Sequence, residues 1–462
     1  MNPAFDVVVI GSGPSGHKAA IAAAKAGKRV AIVEQERELG GACVSRGTIP
    51  SKTLRETALQ LSRMRRAGGQ LQVSLAQGTE LASLMTRVQR VIDANAGTML
   101  DQVRRNGIER LHGRAHFVSS HALQIEDVHG RSLTLDADVI VIAVGSSPRT
   151  PPGIPIDHEH VLDSDSVLSL LYLPESMTVL GSGVIACEYA SIFAELGVRV
   201  TMIDKAERPL AFMDEELVMR FVAAFAALGG RFLGGRELEG VHWDGVSDVV
   251  TRVSDGDDVR AHKLLVALGR TPNLAGLALE AAGLAASARG QLRVNEHCQT
   301  EVPHIYAVGD VIGAPALAAT AMEQGRRAIG HALGLPSIGR AEHVPIGIYT
   351  IPEMSSVGLS ESEARARHGG ALVGRARFDE VARGQISGDR DGLLKLVADA
   401  SGTRLLGVQI VGDGATELVH LGQMALLADM PVETFINNIF NFPTLAEAYR
   451  VAALDLRHNR AR

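Results

Sequence analysis

Short runs of branched apolar residues alternate along this chain with longer stretches whose apolar positions recur at three- and four-residue intervals. "VVVI" at 7–10, "RVAIVE" ending at Glu34, "MTVL" at 177–180 and "RVTMID" ending at Asp204 have the length and β-branched content of buried strands. The clearest helical stretch is "ELASLMTRVQRVIDANAGTMLDQVRRNG", in which Leu81, Leu84, Val88, Val91 and Ile92 fall on one face. That stretch reads as a packed helix without chemistry. The alternation of strand and helix predicts an α/β fold with parallel sheets.

A loose internal repeat organises the pattern. "VVVIGSGPSG" at 7–16 is echoed by "MTVLGSGVIA" at 177–186, and "VIVIAVGSSPRTP" at 139–151 by "LLVALGRTPN" at 264–273. Two nucleotide-binding units are the simplest account, each opened by a glycine turn and closed by a strand ending in glycine, Gly145 and Gly269 respectively. After about residue 342, strand and helix signals continue through "IYTIPEMSSVG" and the last hundred residues without another glycine fingerprint.

The 462 residues suit about three domains of ~150 residues, and 46% hydrophobic content is ample for their cores. A formal charge of −6, from 46 basic and 52 acidic residues, argues against a nucleic-acid partner. The 49 glycines exceed an average share of ~7% and cluster after apolar runs, as tight turns near ligands require. "MNPAFDVVVIGSG" has no basic leader, and no apolar run reaches the ~18 residues of a spanning helix. A soluble cytoplasmic protein is therefore expected. Cys43, Cys187 and Cys298 are too scattered for a disulfide framework or a zinc site, and the 16 histidines show no metal spacing.

The first fingerprint, Gly11-Ser12-Gly13-Pro14-Ser15-Gly16, follows a strand and precedes the apolar helix "HKAAIAAAKAG". Gly11 allows the tight turn, Gly13 lets backbone N–H groups approach a pyrophosphate, and Gly16 lets helix pack on strand. Glu34 ends the next strand 23 residues after Gly11, where a carboxylate can bind ribose hydroxyls. The second fingerprint, Gly181-Ser182-Gly183-Val184-Ile185-Ala186, keeps the same spacing to Asp204. Asp204 favours NAD(H) by repelling a 2′-phosphate, whereas Lys205 and Arg208 beside it can reach one, so the nucleotide preference stays open. At "HIYAVGDVIG", Gly309-Asp310 ends a strand, and Asp310 can bind a polyhydroxyl group or cap the next helix.

These pieces, in order over essentially the whole chain, resemble the flavoprotein family of lipoamide dehydrogenase, glutathione reductase and mercuric reductase. The resemblance implies two Rossmann-like domains and an α+β dimerisation domain. FAD would occupy 1–150 and 271–342, a nicotinamide nucleotide 151–270, and the interface of a two-fold dimer 343–462. A homodimer, possibly a larger homo-oligomer, is implied. It assigns FAD to Gly11, Gly13, Pro14, Gly16, Glu34, Gly41, Cys43, Thr48, Lys52, Gly145, Gly309 and Asp310, with Asp310 on the ribityl chain. It assigns the nicotinamide nucleotide to Gly181, Gly183, Glu188, Asp204, Lys205 and Gly269. Lys52 of "IPSK" and Glu188 of "ACEYA" are implied to pair beside the flavin N5 as the catalytic residues, and no metal is implied.

Two departures from that family bear on function. In "GGACVSRGTIPSKTL" Cys43 is present, but Thr48 stands where a second cysteine would complete a disulfide. In "NNIFNFPTLAEAYRVAAL" Phe442 stands before Pro443-Thr444 where the family uses an acid–base histidine, while Glu447 remains. A phenyl ring cannot move protons. One branch is similar in both respects, the soluble, energy-independent pyridine nucleotide transhydrogenases, matched here in "RGTIPSK", "DSDSVLSL", "VPIGIYTIPEMSSVG" and "NFPTLAEAYRVAAL". The resemblance implies hydride transfer from NADPH through FAD to NAD⁺, ping-pong through one nucleotide site. The alternatives are a diaphorase passing electrons to quinones, dyes or oxygen, residual lipoamide-type disulfide reduction, and a flavoprotein scaffold without turnover. Cys43 is read as a small inherited thiol, or as a thiolate near the flavin.

Overall fold

Strand Ala4–Ile10 lies at the centre of a seven-stranded sheet, between Val30–Glu34 and the long strand Ser132–Ile142 and parallel to both. The computed structural model describes residues 3–67, 81–254, 256, 258–336, 342–389 and 391–460. The chain divides into two compact units. The first comprises Met1–Leu54, Thr79–Arg149 and Gly269–Arg340.

In this unit Val7, Val8, Val9, Ala31 and Ile32 are wholly buried, as expected of strands covered on both faces. The sheet is mixed rather than parallel throughout. Ser132–Ile142 pairs antiparallel with Ala122–Glu126 along its first half, and parallel with Ile305–Ala307 along its last three residues. Its first half, where exposed positions are interspersed with the buried Leu135 and Ala137, carries the meander, while the buried end, residues 140–142, belongs to the doubly wound core. Helix Pro14–Lys25 packs closely on helix Ala318–Ala332, since a Cβ on Gly325 would lie 2.2 Å from the Ser15 carbonyl oxygen. The long helix Leu81–Arg105 buries Leu84, Val88, Ala96 and Val103, with Val91 and Ile92 half-buried; the Leu81 side chain lies outside the described residues.

The second unit comprises Arg55–Gly78, Thr150–Leu268 and Ala341–Arg462. Its first sheet runs in the order Arg231–Leu233, Arg199–Ile203, Ser176–Leu180, Lys263–Val266, Val161–Asp163, all parallel. Helix Val184–Glu195 leaves Ser176–Leu180 through the second glycine turn and is buried at every residue from Ala186 to Glu195. A five-stranded antiparallel sheet forms from Ile346–Ile348, Met354–Gly358, Ala371–Arg377, Leu393–Asp399 and Leu405–Val411. Tyr449, Phe378 and Leu456 pack in its core. A buried charge cluster joins the two parts of this unit. Lys395 meets Glu361 at 2.7 Å, Asp214 at 3.1 Å and Glu216 at 3.3 Å. Burial depresses the Lys395 pKa, but the bonds to Glu361 and Asp214 outweigh it and raise the value. Removing Lys395 would cost about 3–5 kcal/mol, because Asp214 would stay buried without its counter-charge.

Candidate functional site

Both fingerprints fold into the turn that their glycines predict. Gly11 has φ +101° and Gly181 φ +114°, conformations that L side chains rarely adopt. A Cβ would also lie 2.3 Å from the Ala143 carbonyl oxygen at Gly11, and 2.6 Å from that of Ala267 at Gly181. Gly16 is needed for a different reason, as its Cβ would lie 2.0 Å from the Gly11 carbonyl oxygen. Gly13 and Gly183 differ from these. Nothing lies within 4 Å of a Cβ on either, and each precedes a helix whose N-terminus has no side-chain cap. Unpaired N–H groups at a helix start, beside open space, suit a phosphate. The two turns therefore fit dinucleotides.

Around the first turn the structure gathers most of the residues expected there. The Glu34 carboxylate accepts from Ser12 N–H at 2.9 Å, Ser12 Oγ at 2.6 Å and Glu36 N–H at 2.9 Å. Ser12 Oγ also accepts from Gly40 N–H at 3.0 Å, and a Cβ on Gly41 would meet Gly13 Cα at 3.0 Å. The segment carrying Cys43 is thus tied to the phosphate turn. Asp310 accepts from Ser146 Oγ at 2.5 Å, and Ser146 in turn accepts from Arg270 Nε at 2.8 Å. Gly309 donates its N–H to Gln324. Ser146–Pro148 and Arg270–Pro272 form a two-stranded ladder, so Gly145 and Gly269 both lie in the first unit. Gly269 stands apart from the second fingerprint in this respect, with its carbonyl accepting from Arg149 N–H at 3.0 Å.

Cys43 and Thr48 are hydrogen-bonded through their side chains. Burial raises the Cys43 pKa above the ordinary thiol value, and Asp310 adds to this; the Thr48 bond and the Lys52 charge only partly offset it. Cys43 is therefore a protonated thiol at neutral pH. All three cysteines are free. Lys52 is half-buried on helix Thr48–Ala67, with Nζ 3.4 Å from Ser51 Oγ.

In the second unit Asp204 follows strand Arg199–Ile203, half-buried, and accepts from Ala206 N–H at 2.8 Å. Lys205 is exposed, and Arg208 donates to the Ala211 carbonyl. Glu188 lies on the first turns of helix Val184–Glu195, only 4% exposed, and its Oε1 accepts from Tyr349 N–H at 2.9 Å. Near the C-terminus Phe442 is 68% exposed, and Glu447 Oε2 is buried without a hydrogen-bond partner among the described residues. Among the described residues no three His, Cys, Asp or Glu side chains could hold a metal, and no helix is long and apolar enough to cross a membrane.

Sequence reasoning missed the partners of these residues: Ser12 on Glu34, Ser146 and Arg270 on Asp310, and Tyr349 on Glu188. Only Ser12 carried a signal, by lying inside the fingerprint itself.

The family model for pyridine nucleotide-disulphide oxidoreductases matches residues 5–325, and the dimerisation-domain model of that family matches 344–453. A soluble pyridine nucleotide transhydrogenase from Mycobacterium bovis is 46% identical over 98% of this chain and 97% of its own length. One from Klebsiella pneumoniae is 41% identical, with the same coverage. Among solved structures, LpdA from Mycobacterium tuberculosis superposes with TM-score 0.91 at 28% identity, covering 98% of this chain and 99% of that one. The HOCl-induced flavoprotein disulfide reductase RclA from Escherichia coli gives 0.88 at 27% identity, covering 97% and 99%. The chain is therefore an oxidoreductase of the pyridine nucleotide-disulphide oxidoreductase family, in its soluble pyridine nucleotide transhydrogenase branch, and that membership implies FAD and NAD(P).

Proposed function

We propose that the protein transfers a hydride between NADPH and NAD⁺ through FAD, ping-pong at a single nucleotide site and without a redox-active disulfide. The observation that carries this reading is the Cys43–Thr48 pair. A disulfide reductase needs a second sulfur at 48 and a reactive thiolate, and here a hydroxyl bonds a thiol that burial keeps protonated. The loss of a proton-moving side chain at Phe442 points the same way. The name carried by the relatives at 40–46% identity supports the choice of acceptor.

FAD, when bound, supplies the hydride chemistry, for which the chain has no group of its own. The chain binds, orients and stabilises. The N–H groups at the start of helix Pro14–Lys25 and the open face of Gly13 receive the pyrophosphate. Glu34, steadied by Ser12, takes the adenosine ribose, and Asp310, oriented by Ser146 and Arg270, takes the ribityl hydroxyls. Gly41, Cys43, Thr48, Gly145 and Gly309 line the same site. Gly181 and Gly183 receive the nicotinamide nucleotide, with Asp204 and Lys205 at its ribose and Gly269 at its entry. Lys52 holds a positive charge where negative charge develops, and Glu188 orients it. Residues 1–150 with 271–342 form the FAD domain, 151–270 the nucleotide domain, and 343–462 the dimerisation domain. The match to that domain and the exposed Ile439, 90% accessible, favour a homodimer.

The test separates the two half-reactions. The holoprotein is incubated anaerobically with NADPH, freed of nucleotide by gel filtration, and then given NAD⁺. NADH formed in proportion to bound FAD is expected. No NADH, with a quinone or dye reduced instead, would make the protein a diaphorase.

A further inference from the structure

One short segment of the second unit, just after strand Ile346–Ile348, collects buried side chains from two directions. Tyr349 N–H donates to Glu188 Oε1 at 2.9 Å, and Ile351 N–H donates to Ser191 Oγ at 3.1 Å. The Thr350 carbonyl between them accepts from Arg55 Nε at 3.0 Å. Glu188 and Ser191 are three residues apart on helix Val184–Glu195 and so are neighbours on its surface, while Tyr349 and Ile351 flank Thr350 in the segment that follows strand Ile346–Ile348. The intervening carbonyl points the opposite way, toward Arg55.

Arg55 is held for that task. It is 7% exposed, and its Nη2 lies 3.4 Å from Glu353 Oε2. Glu353 also accepts backbone N–H bonds from Gly414 and Thr416, at the start of helix Ala415–Leu427. Without that carboxylate, a buried guanidinium would face the positive end of a helix, which is unfavourable. Arg55 follows Lys52 by three residues on helix Thr48–Ala67, so one helix carries Lys52 and the side chain that fixes the anchor of Glu188.

We infer that Arg55 is a positioning residue for hydride transfer: through the Thr350 carbonyl it fixes the segment whose Tyr349 N–H holds the Glu188 carboxylate. The inference rests on the proposed pairing of Glu188 with Lys52 beside the flavin.

The test uses holoenzyme variants and two readouts, the midpoint potential of bound FAD and the rate at which NADPH bleaches it. Arg55→Met is expected to make the potential more negative and to slow bleaching about tenfold, the effect of one lost charge-assisted hydrogen bond. NADPH affinity should stay within about twofold, and Arg55→Lys should restore only part of the rate, since an ammonium cannot serve the carbonyl and Glu353 together. In a Glu188→Ala background, Arg55→Met should add less than about twofold, because residues acting through one group are not additive. If Arg55→Met fails to fold, Ser191→Ala loosens the segment from its other side and should show the same pattern at about threefold. Equal effects of Arg55→Met in both backgrounds would overturn the inference. So would no effect where Glu188→Ala has one. If Glu188→Ala itself changes neither readout, the pairing falls and takes the inference with it.

Discussion

The two glycine turns share a backbone and differ in what surrounds it. At both, the first glycine has positive φ and abuts a carbonyl, and the middle one faces open space before an uncapped helix. The carboxylates that follow are unlike. Glu34 is 6% exposed and already accepts three hydrogen bonds, whereas Asp204 is half-buried and, among the described residues, accepts one. A carboxylate has about four acceptor sites. Glu34 therefore keeps about one for a ligand and Asp204 about three. The first site is built before a ligand arrives and the second leaves its acceptors to the ligand, a difference that fits the proposed roles of resident cofactor and exchanging nucleotide.

Breaking each turn should have separable results. Gly11→Ala puts a methyl 2.3 Å from a carbonyl in the unit that would hold FAD, and colourless or insoluble protein is expected. Gly181→Ala makes the equivalent clash at 2.6 Å, and a yellow protein that neither nucleotide bleaches is expected. Absorbance per mole of protein and anaerobic titration distinguish them. Equal loss of flavin from both would erase the distinction. Lys52→Ala should retain FAD but slow its reduction about 10²-fold, the scale of one lost electrostatic stabiliser. Unchanged stopped-flow rates would remove Lys52 from the reacting centre.

Asp204→Ala sharpens the comparison further. Loss of a charged acceptor should weaken NADH by about tenfold and NADPH much less, because the carboxylate repels a 2′-phosphate. Parallel KM values for both nucleotides would show that Asp204 does not read the ribose. The smallest effect is expected of Cys43→Ser. Since burial pushes its pKa up, Cys43 supplies no thiolate at neutral pH, and turnover should change by about threefold or less. A hundredfold loss would revive thiol chemistry.

What the sequence disclosed depended on the range of each interaction. The turns were legible because strand, glycines and acid repeat at one spacing in both halves. The missing sulfur at Thr48 and the missing histidine at Phe442 were legible as departures from motifs. The mixed sheet was not, since the antiparallel strands Arg114–Phe117 and Ala122–Glu126 are only four and five residues long, too short for their alternation to mark them as strands. The holders of the site were equally hidden. Arg55 meets Thr350 across 295 residues, and Glu188 meets Tyr349 across 161. No local periodicity marks a partner at that distance. The Lys395 cluster was silent too, because a buried lysine and a solvated one look alike until packing is known.

The most direct test of the central claim is anaerobic turnover of the purified holoprotein, with NADPH as donor and thio-NAD⁺ as acceptor, followed at the absorbance of the reduced acceptor. Steady turnover with parallel double-reciprocal lines is predicted, since in the proposed mechanism one nucleotide site serves both partners in turn. Bleaching of the flavin by NADH but not by NADPH, without thio-NAD⁺ reduction, would contradict the account.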